Sequence, residues 1–600
     1  MSAVKFSGKV MQNANEFVQK CMGTEDSFCR SNCPMNTDVK AYVGFIAEKK
    51  YKEALMVIRE TLFLPNTLGR VCAHPCENAC RRTKEFEQPM AISSLKRFAA
   101  EQADCEELWN VTTAENTGKK VAIIGSGPAG AQAAIDLQKA GHEVTVFEKR
   151  QQTGGMLRNG IPLYRLPREI LDYEYGYLKR LGVKFQMGIT IGEDLTFQEL
   201  RESYDAVLIA VGAQRGNVIP VPGNDAKGVF AAVDFLEEVN RTRQFPAAGR
   251  KILVVGGGDV AMDCARSALR LEGEREVMQC SLESLAELPA SLGEKDGAVE
   301  EGVQCNFGWG PVEILEEKGN VKEVRIQQVT SVFDQNGRFS PTYGEETKIV
   351  EADTVILAAG QLVEDVTDGK LVQIGGGRYQ ADPETLETEL DGVFVAGDAA
   401  GGKIIVEAMA LGRKAAISMD RYLKGTDLRE GRCLEKEWKH ETKLNVPLPE
   451  GTEDIQRISV RMRNPEERRK DFEPVDMGFT EEDAVAEAGR CLQCGCRLCI
   501  KECTMMEHYT CCPGEFWEPL TKGKTVDTLT VYSCNDCDSC SGVCPQELPI
   551  RETFMEARKD IVKGNYGDSP LKGHRAVKVH QTLGFDSMYT TKVKGGTSHA

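Results

Sequence analysis

The sequence predicts an α/β protein in which two Rossmann-like nucleotide-binding domains lie between an N-terminal and a C-terminal helical domain. Two glycine-rich turns predict the parallel-sheet domains, because each turn joins a short apolar strand to a helix of small residues. The distribution of cysteine predicts the helical ends. Of the 22 cysteines, 17 lie either between Cys21 and Cys80 or between Cys491 and Cys544.

Composition limits the classes of function. A chain of 600 residues is long enough for about four domains. The net charge of −17 disfavours a nucleic-acid partner. The longest apolar runs, such as Val121–Ile124, have strand length, and no apolar segment follows the N-terminal methionine, so we expect a cytoplasmic chain without a membrane span. In a reducing compartment, clustered cysteines bind metal rather than form disulfides.

The first glycine-rich turn has the full dinucleotide-binding pattern. A strand from Lys120 leads into Gly125, Gly127 and Gly130, and a second strand ends at Glu148. The glycines permit a tight turn, close approach of a pyrophosphate and helix packing, while the acid is placed for a ribose hydroxyl. The helix N-terminus favours the phosphate charge. We therefore predict a dinucleotide site here.

A second turn repeats the pattern about 130 residues later. The strand from Lys251 leads into Gly256, Gly258 and Ala261. Two apolar strands that end in glycine, at Gly212 and Gly360, are suited to return the chain between domains. The run Gly392–Asp398 precedes a long predicted helix over 405–423, so Gly397 and Asp398 are candidates to bind a second part of the first nucleotide.

The C-terminal cysteines include a spacing that is specific for one type of cofactor. Cys534, Cys537, Cys540 and Cys544 are separated by two, two and three residues, and Pro545 follows. Bacterial ferredoxins bind a [4Fe–4S] cluster with this spacing. The sequence therefore predicts at least one cluster near the C-terminus.

From Cys21 to Lys424 the chain resembles the small subunit of bacterial glutamate synthase and its relatives, which include the flavin subunit of NADH-dependent ferredoxin:NADP oxidoreductase and the N-terminal half of dihydropyrimidine dehydrogenase. The motifs that carry the resemblance are Gly154–Pro167, which contains Gly155, and Gly69–Cys80. The resemblance implies FAD at the first turn, a nicotinamide dinucleotide at the second, hydride transfer between them, and single electrons leaving through iron–sulfur clusters.

One departure from the family pattern concerns the nicotinamide nucleotide. The family has a Tyr-Arg-Arg segment after the second strand of this fold, whereas this chain has Ser281–Pro289, with Glu283 about 25 residues past Gly258. A carboxylate there accepts from a free 2′-hydroxyl and repels a 2′-phosphate. We therefore predict NAD(H) over NADP(H). The alternative is that Arg266, Arg270 or Arg275 binds the phosphate.

A second departure concerns the N-terminal cysteines. The family spacing has a cysteine where this chain has Thr24, and a Gln or Glu where it has Lys96. The resemblance implies two ligand sets, each one ligand short: Cys21, Cys29 and Cys80 for one cluster, and Cys33, Cys72 and Cys76 for the other. The alternative is a helical scaffold that has lost its clusters.

The C-terminal cysteines predict a module with two clusters. Cys491, Cys494, Cys499 and Cys503 have the family's own spacing, and Cys496 is a possible substitute for one of them. With the ferredoxin-like quartet they form two runs, in which the last cysteine of each run ligates the other cluster. These two clusters are an addition to the family plan.

The predicted domain order follows from these motifs. Residues 1–115 form the helical iron–sulfur domain, 116–235 with 346–430 the FAD domain, and 236–345 the NAD(P)H domain. Residues 431–485 form a polar linker, 486–565 the two-cluster ferredoxin-like domain, and 566–600 a tail.

The sequence thus predicts an NAD(P)H-dependent iron–sulfur flavoprotein that works as one subunit of a redox complex. No side chain is required as an acid or base, because the protein supplies binding and orientation for the cofactors. Candidate partners are other redox subunits, including components of an electron-bifurcating hydrogenase or transhydrogenase, and ferredoxin. The alternatives are a glutamate synthase small subunit and a non-catalytic electron-transfer or scaffold subunit.

Overall fold

The computed structural model describes residues 5–432, 439–449, 451–509 and 512–585. The chain forms two compact units, each described here by itself. The larger unit takes in the described parts of 29–440 and 454–491, and the smaller unit those of 1–28, 441–453 and 492–600. Cys511, residues 433–438 of the predicted linker and residues 586–600 of the predicted tail lie outside the described residues.

The larger unit contains all the described strands. In chain order they are β1 (Lys120–Ile124), β2 (Glu143–Glu148), β3 (Lys184–Met187), β4 (Ala206–Ile209), β5 (Arg215–Gly216), β6 (Val229–Ala231), β7 (Lys251–Val255), β8 (Glu276–Ser281), β9 (Gln304–Phe307), β10 (Trp309–Glu317), β11 (Asn320–Phe333), β12 (Phe339–Glu351), β13 (Thr354–Leu357), β14 (Gln361–Leu362), β15 (Gln373–Ile374), β16 (Arg378–Tyr379) and β17 (Val393–Val395).

Two five-stranded parallel sheets confirm the predicted Rossmann-like domains. The first has the order β17-β4-β1-β2-β3 and the second the order β6-β13-β7-β8-β9. Their central strands are apolar along almost their whole length, as expected of strands covered by helices on both faces. In each sheet the strand order reverses beside the strand that leads into a glycine-rich turn, which is where α/β sheets bind ligands.

The second sheet carries an antiparallel addition that the sequence analysis did not predict. Strands β10, β11 and β12 form a three-stranded sheet with register shifts in both pairings. Its outer strand β12 is largely exposed. The remaining strands form two small two-stranded sheets, β5 with β14 and β15 with β16.

Helices cover the sheets and form the cysteine-rich part of the larger unit. Its helices of seven residues or more are Val39–Ala47, Tyr51–Arg59, Pro65–Val71, Ile92–Ala103, Pro128–Lys139, Arg168–Leu181, Phe197–Ser203, Ala232–Thr242, Asp259–Leu269, Leu292–Glu301, Ile405–Lys424 and Glu481–Gly489. The shorter ones are Pro75–Asn78, Arg81–Phe86, Met156–Asn159 and Pro465–Arg468, and Phe28–Ser31 begins at the boundary between the units.

The segment 454–491, most of which was predicted as linker, is an integral part of the larger unit. Arg468 is fully buried and binds the buried carboxylate of Glu301 at 2.8 Å. Glu487 is fully buried and accepts the backbone N–H groups of Ala91 (2.8 Å) and Ile458 (2.9 Å). Its charge-rich sequence therefore reflects buried ion pairs rather than a solvated connection.

The smaller unit is helical and includes the N-terminal helix. Its helices are Gly8–Lys20, Leu498–Lys501, Thr504–Tyr509, Pro513–Thr521, Thr528–Ser533, Ser539–Gly542, Ile550–Gly564 and Lys572–Phe585. Val10, Ala14 and Phe17 belong to the same buried core as Trp517 and Phe554. The sequence analysis placed residues 1–115 in one domain, but the structure groups the first 28 with the C-terminal helices because this apolar face packs there.

Among the described residues, no helix is both long and apolar enough to cross a membrane.

Candidate nucleotide and iron–sulfur sites

The first glycine-rich turn has the geometry expected of a pyrophosphate site. Gly125 follows β1 with φ +104°, and a Cβ there would lie 2.5 Å from the carbonyl oxygen of Ala210. A Cβ on Gly130 would lie 2.1 Å from the carbonyl oxygen of Gly125. Neither position tolerates a side chain, so the helix Pro128–Lys139 begins directly against the strand with its N–H groups unobstructed.

Glu148 is fixed at the end of β2 by the same turn. One carboxylate oxygen accepts the backbone N–H of Ser126 at 3.0 Å and its hydroxyl at 2.6 Å, and the other accepts the backbone N–H of Arg150 at 2.9 Å. The side chain is buried at the cavity described next. Its position at the strand end is that of an acid that binds ribose hydroxyls.

A cavity of about 540 Å³ lies beside this turn, and its size is typical of a cofactor site. The predicted residues that line it are Gly125, Gly127, Glu148, Gly155, Gly397 and Asp398. Asp259, Val260 and Asp263 of the second fold also line it. The two nucleotide folds therefore contribute to one cavity, which is the arrangement that two reacting dinucleotides require.

The segment around Asp398 also lines the cavity. Burial raises the pKa of Asp398, although the backbone N–H of Ala213 donates to it at 3.4 Å. Ile404 and Ile405, at the start of helix Ile405–Lys424, also line the cavity. A Cβ on Gly412 of this helix would lie 2.2 Å from the carbonyl oxygen of Ala129, so the helix packs directly on Pro128–Lys139.

The second glycine-rich turn repeats the first. Gly256 has φ +146°, and a Cβ there would lie 2.5 Å from the carbonyl oxygen of Ala358. A Cβ on Gly257 would lie 2.6 Å from a carboxylate oxygen of Glu283, so this acid reaches over the turn. Of the predicted residues of the second site, Gly258 has open space around its Cβ position and Ala261 is buried. Gly360 lies between β13 and β14 and is not among the residues that line the 540 Å³ cavity.

Two of the three arginines considered for a 2′-phosphate are bound elsewhere. Glu301 accepts from Arg266 at 2.7 Å and from Arg270 at 2.6 Å, with all three side chains buried. Burial opposes ionisation of Glu301, but the hydrogen bonds from Arg266 and Arg270 outweigh it and lower its pKa to about 2. These guanidinium groups hold the domain together and do not face an open phosphate site.

In the larger unit the structure brings together the predicted set Cys33, Cys72 and Cys76. The sulfurs of Cys72 and Cys76 interact electrostatically with Cys33 and with Lys96. Burial raises the pKa of the Cys76 thiol, and the neighbouring thiols raise it further. Lys96 is itself buried, so this set has three thiols and an ammonium group where the family has a fourth ligand.

The other predicted N-terminal set is divided between the two units. Cys29 and Cys80 lie in the larger unit, and Cys21 lies in the smaller. Cys491, predicted with the C-terminal cysteines, packs against the same core as Cys29 and Cys80. Arg82 donates to the carbonyl oxygen of Arg490 at 3.3 Å, which brings residue 491 to the chain just after Cys80. The structure thus places Cys21 in the smaller unit and Cys491 in the larger one, because helix packing determines which unit each cysteine joins.

The smaller unit contains two groups of thiols. Cys534 and Cys540 both interact electrostatically with Cys503, and Cys534 also interacts with Cys537. Cys544 lies instead with Cys496, Cys499 and Cys21, and these four line one small cavity together with Cys512. The last cysteine of each run is thus placed with the other run. Cys494 also belongs to the smaller unit, half-buried.

These thiol groups have the residue type that binds an iron–sulfur cluster. Among the described residues, no three Cys, His, Asp or Glu side chains converge tightly enough to hold one metal ion. A [4Fe–4S] cluster takes one thiolate on each of four irons, so its ligands stand further apart. The signal for Cys496 was present in the sequence: Cys496, Cys499 and Cys503 have the ferredoxin spacing, with Gln493 at the place of the first cysteine.

The fold and these sites define a flavoprotein of the two-dinucleotide class with attached iron–sulfur domains. The family described as pyridine nucleotide-disulphide oxidoreductase matches residues 119–415, and the family described as dihydropyrimidine dehydrogenase domain II, 4Fe-4S cluster, matches residues 4–108. The chain belongs to this pyridine nucleotide oxidoreductase family and carries its iron–sulfur domain. It is an FAD-dependent and nicotinamide-dependent oxidoreductase, as the sequence predicted.

Three relatives illustrate the family. The chain is 39% identical to the NADP(+)-dependent formate dehydrogenase subunit beta of Moorella thermoacetica, over 78% of this chain and 70% of that protein. It is 32% identical to the glutamate synthase [NADPH] small chain of Mycobacterium tuberculosis, over 68% and 88%. It is 34% identical to the NAD-dependent dihydropyrimidine dehydrogenase subunit PreT of Salmonella typhimurium, over 68% and 93%.

Proposed function

We propose that this chain is the nicotinamide-oxidising or nicotinamide-reducing subunit of a larger redox complex, exchanging electrons between NAD(P)H and iron–sulfur clusters that serve a partner subunit. The observation that carries the proposal is the single cavity lined by both nucleotide folds. FAD bound there supplies the exchange between an electron pair and single electrons. The chain's own residues bind and orient the two nucleotides.

The roles of these residues follow from their contacts. Gly125 and Gly130 leave the N–H groups at the start of helix Pro128–Lys139 open to a pyrophosphate. Glu148, held by Ser126 and Arg150, is oriented toward ribose hydroxyls. Asp398 also lines the cavity, and its burial keeps water from competing for a polar group of the cofactor.

We further propose that NADH is preferred over NADPH. Glu283 lies over the second turn, within 2.6 Å of the Cβ position of Gly257, where it accepts a 2′-hydroxyl and repels a 2′-phosphate. Arg266 and Arg270 are held by Glu301 and therefore do not neutralise Glu283. One relative is named as NADP(+)-dependent and another as NAD-dependent, so the names of the relatives do not decide between NADH and NADPH.

Nucleotide preference is tested by measuring kcat/KM for NADH and NADPH with a dye acceptor. We expect the native chain to favour NADH. Removing one charge next to a phosphate at about 4–5 Å changes the interaction by ~1–2 kcal/mol, so Glu283→Gln gains roughly 10-fold for NADPH. The control is Glu287→Gln, an exposed acid of the same loop that binds Ser284. A native preference for NADPH that Glu283→Gln leaves unchanged contradicts the proposal.

The partner is expected to be another redox subunit. Relatives are named as beta subunits of a formate dehydrogenase and of an NADPH-Fe(3+) oxidoreductase, which supports an assembly of this kind. Hydrogenase or transhydrogenase components and ferredoxin remain candidates on the same grounds. Purification from the native host without oxygen, with identification of the co-purifying chains, tests this. A redox subunit supports the proposal; a glutamine-hydrolysing subunit would instead assign the chain to glutamate synthase.

A further inference from the structure

Cys21 is held in the smaller unit by the helix that precedes it. Helix Gly8–Lys20 ends at Cys21, whose N–H donates to the carbonyl oxygen of Phe17 at 2.9 Å. The Phe17 ring stacks on Trp517 with centroids 6.4 Å apart. Asn13 donates to the hydroxyl of Thr553 at 2.8 Å, between two buried side chains. The position of Cys21 is therefore fixed by the core of this unit.

Three cysteines of the C-terminal runs surround Cys21. Cys21, Cys496, Cys499, Cys512 and Cys544 line one cavity. The sulfur of Cys499 interacts electrostatically with those of Cys21, Cys496 and Cys544, and the sulfur of Cys496 interacts with those of Cys21 and Cys544. Four of the five thiols are thus linked by these interactions, and four is the number that a [4Fe–4S] cluster requires.

Two glycines allow the N-terminal segment to come this close. A Cβ on Gly23 would lie 2.5 Å from Cβ and 2.8 Å from Sγ of Cys512. A Cβ on Gly514 would lie 3.0 Å from Cβ of Cys21. A side chain at position 23 would displace Cys512, and one at position 514 would press tightly against Cys21. The segment around Cys21 is therefore fitted to the turn that contains Cys512.

The spacing of the C-terminal runs supplies an independent reason for a fourth thiol. Cys496, Cys499 and Cys503 match the last three cysteines of a ferredoxin run, and Gln493 stands where the first belongs. Cys503 lies with Cys534 and Cys540, which leaves the set of Cys496, Cys499 and Cys544 one thiolate short.

We propose that Cys21 is the fourth thiolate ligand of a [4Fe–4S] cluster whose other ligands are Cys496, Cys499 and Cys544. Each thiol loses its proton when it binds iron. Cys512, which hydrogen-bonds Cys21, is the neighbour of this ligand and not a ligand itself. The inference rests on the proposed function, since it names a ligand of one of the electron-carrying clusters.

The test is the iron content per FAD of serine variants of the full chain, purified without oxygen. If Cys21 and Cys544 bind the same cluster, Cys21→Ser and Cys544→Ser each lose iron, and the double variant loses no more than Cys544→Ser alone. Cys21→Ser with Cys29→Ser loses the sum of the single losses. Cys512→Ser keeps the native iron content, as does the control Cys305→Ser in the second nucleotide domain.

Native iron content in Cys21→Ser overturns the proposal. A Cys21/Cys29 double variant that loses no more iron than either single variant also overturns it. A loss of iron in Cys21→Ser that exceeds the loss in Cys544→Ser shows that the substitution unfolds the smaller unit, with both of its thiol groups, instead of removing one ligand, and this result also overturns the proposal. Iron loss in Cys512→Ser with none in Cys21→Ser assigns the site to Cys512 instead. The readout is independent of turnover, so a flavin that NADH fails to reduce refutes the proposed function and leaves this result standing.

Discussion

The Glu301→Gln substitution is expected to destabilise the second nucleotide domain strongly. The carboxylate accepts from three guanidinium groups, those of Arg266 (2.7 Å), Arg270 (2.6 Å) and Arg468 (2.8 Å), and none of the four side chains is more than 2% exposed. Without the carboxylate these positive charges remain buried with too little compensation. Breaking a buried pair in this way costs ~3–5 kcal/mol.

The pKa of Glu301 gives the same magnitude independently. Burial opposes the ionised form, yet the hydrogen bonds from Arg266 and Arg270 lower the pKa from 4.5 to about 2. By linkage, that difference corresponds to ~3 kcal/mol. Because the pKa is lowered on folding, this contribution is complete above about pH 4.5 and is lost as the pH falls through 2.

Thermal unfolding of the FAD-loaded chain at neutral pH measures the effect. For a domain of this size, the loss lowers the midpoint by about 10 °C. The matched control is Glu300→Gln, because Glu300 also binds Arg468 at 2.7 Å but is 53% exposed, so its loss costs under ~1 kcal/mol. Equal shifts in the two variants would refute the argument that burial makes the Glu301 network strong.

Three further predictions concern the clusters and the flavin fold. Cys491→Ser should lower the iron content per FAD, and adding Cys80→Ser should cause no further loss, because both cysteines are brought to one site. Additive losses of iron would show that Cys80 and Cys491 belong to different sites. Cys512→Ala should keep the iron but shift the midpoint potential of one cluster to more negative values, because a hydrogen bond to a ligand sulfur is lost. Cys512→Ser should restore the native potential. An unchanged potential in Cys512→Ala would contradict a hydrogen bond between Cys512 and a cluster ligand. Gly412→Ala should weaken FAD retention during gel filtration, because its Cβ would lie 2.2 Å from the carbonyl oxygen of Ala129 in the first nucleotide fold. The control is Gly489→Ala, because no atom lies within 4 Å of the Cβ position of Gly489.

The nucleotide folds were predictable because their chemistry is local. The strand, turn and helix around Gly125 and Gly256 lie within about 20 residues each, and the backbone close to each turn leaves no room for a side chain. Glu148 and Glu283 were predicted from their distance beyond these turns. The antiparallel sheet of β10–β12 was missed, since its long exposed strand β12 lacks a continuous apolar run.

The cysteine sets were only partly predictable because their ligands come from distant segments. Cys33, Cys72 and Cys76 meet as predicted, within the packed helices of the larger unit. Cys21 and Cys491 do not follow their neighbours in sequence, since the placement of each depends on helix packing. Likewise, the polar composition of 454–491 did not indicate that Arg468 and Glu487 are buried. Their burial depends on the distant partners Glu301 and Ala91, which only the structure identifies.

In the proposed function, electrons from a nicotinamide nucleotide reach iron through the flavin. The most direct test is an anaerobic titration of the full chain with NADH, in which flavin absorbance is followed and the electrons on the clusters are counted by electron paramagnetic resonance. We expect the flavin to bleach and reduced clusters to appear, with the flavin and the clusters together holding two electrons for each NADH consumed. A flavin that neither NADH nor NADPH bleaches, or a bleached flavin beside clusters that stay oxidised at every ratio, would contradict it.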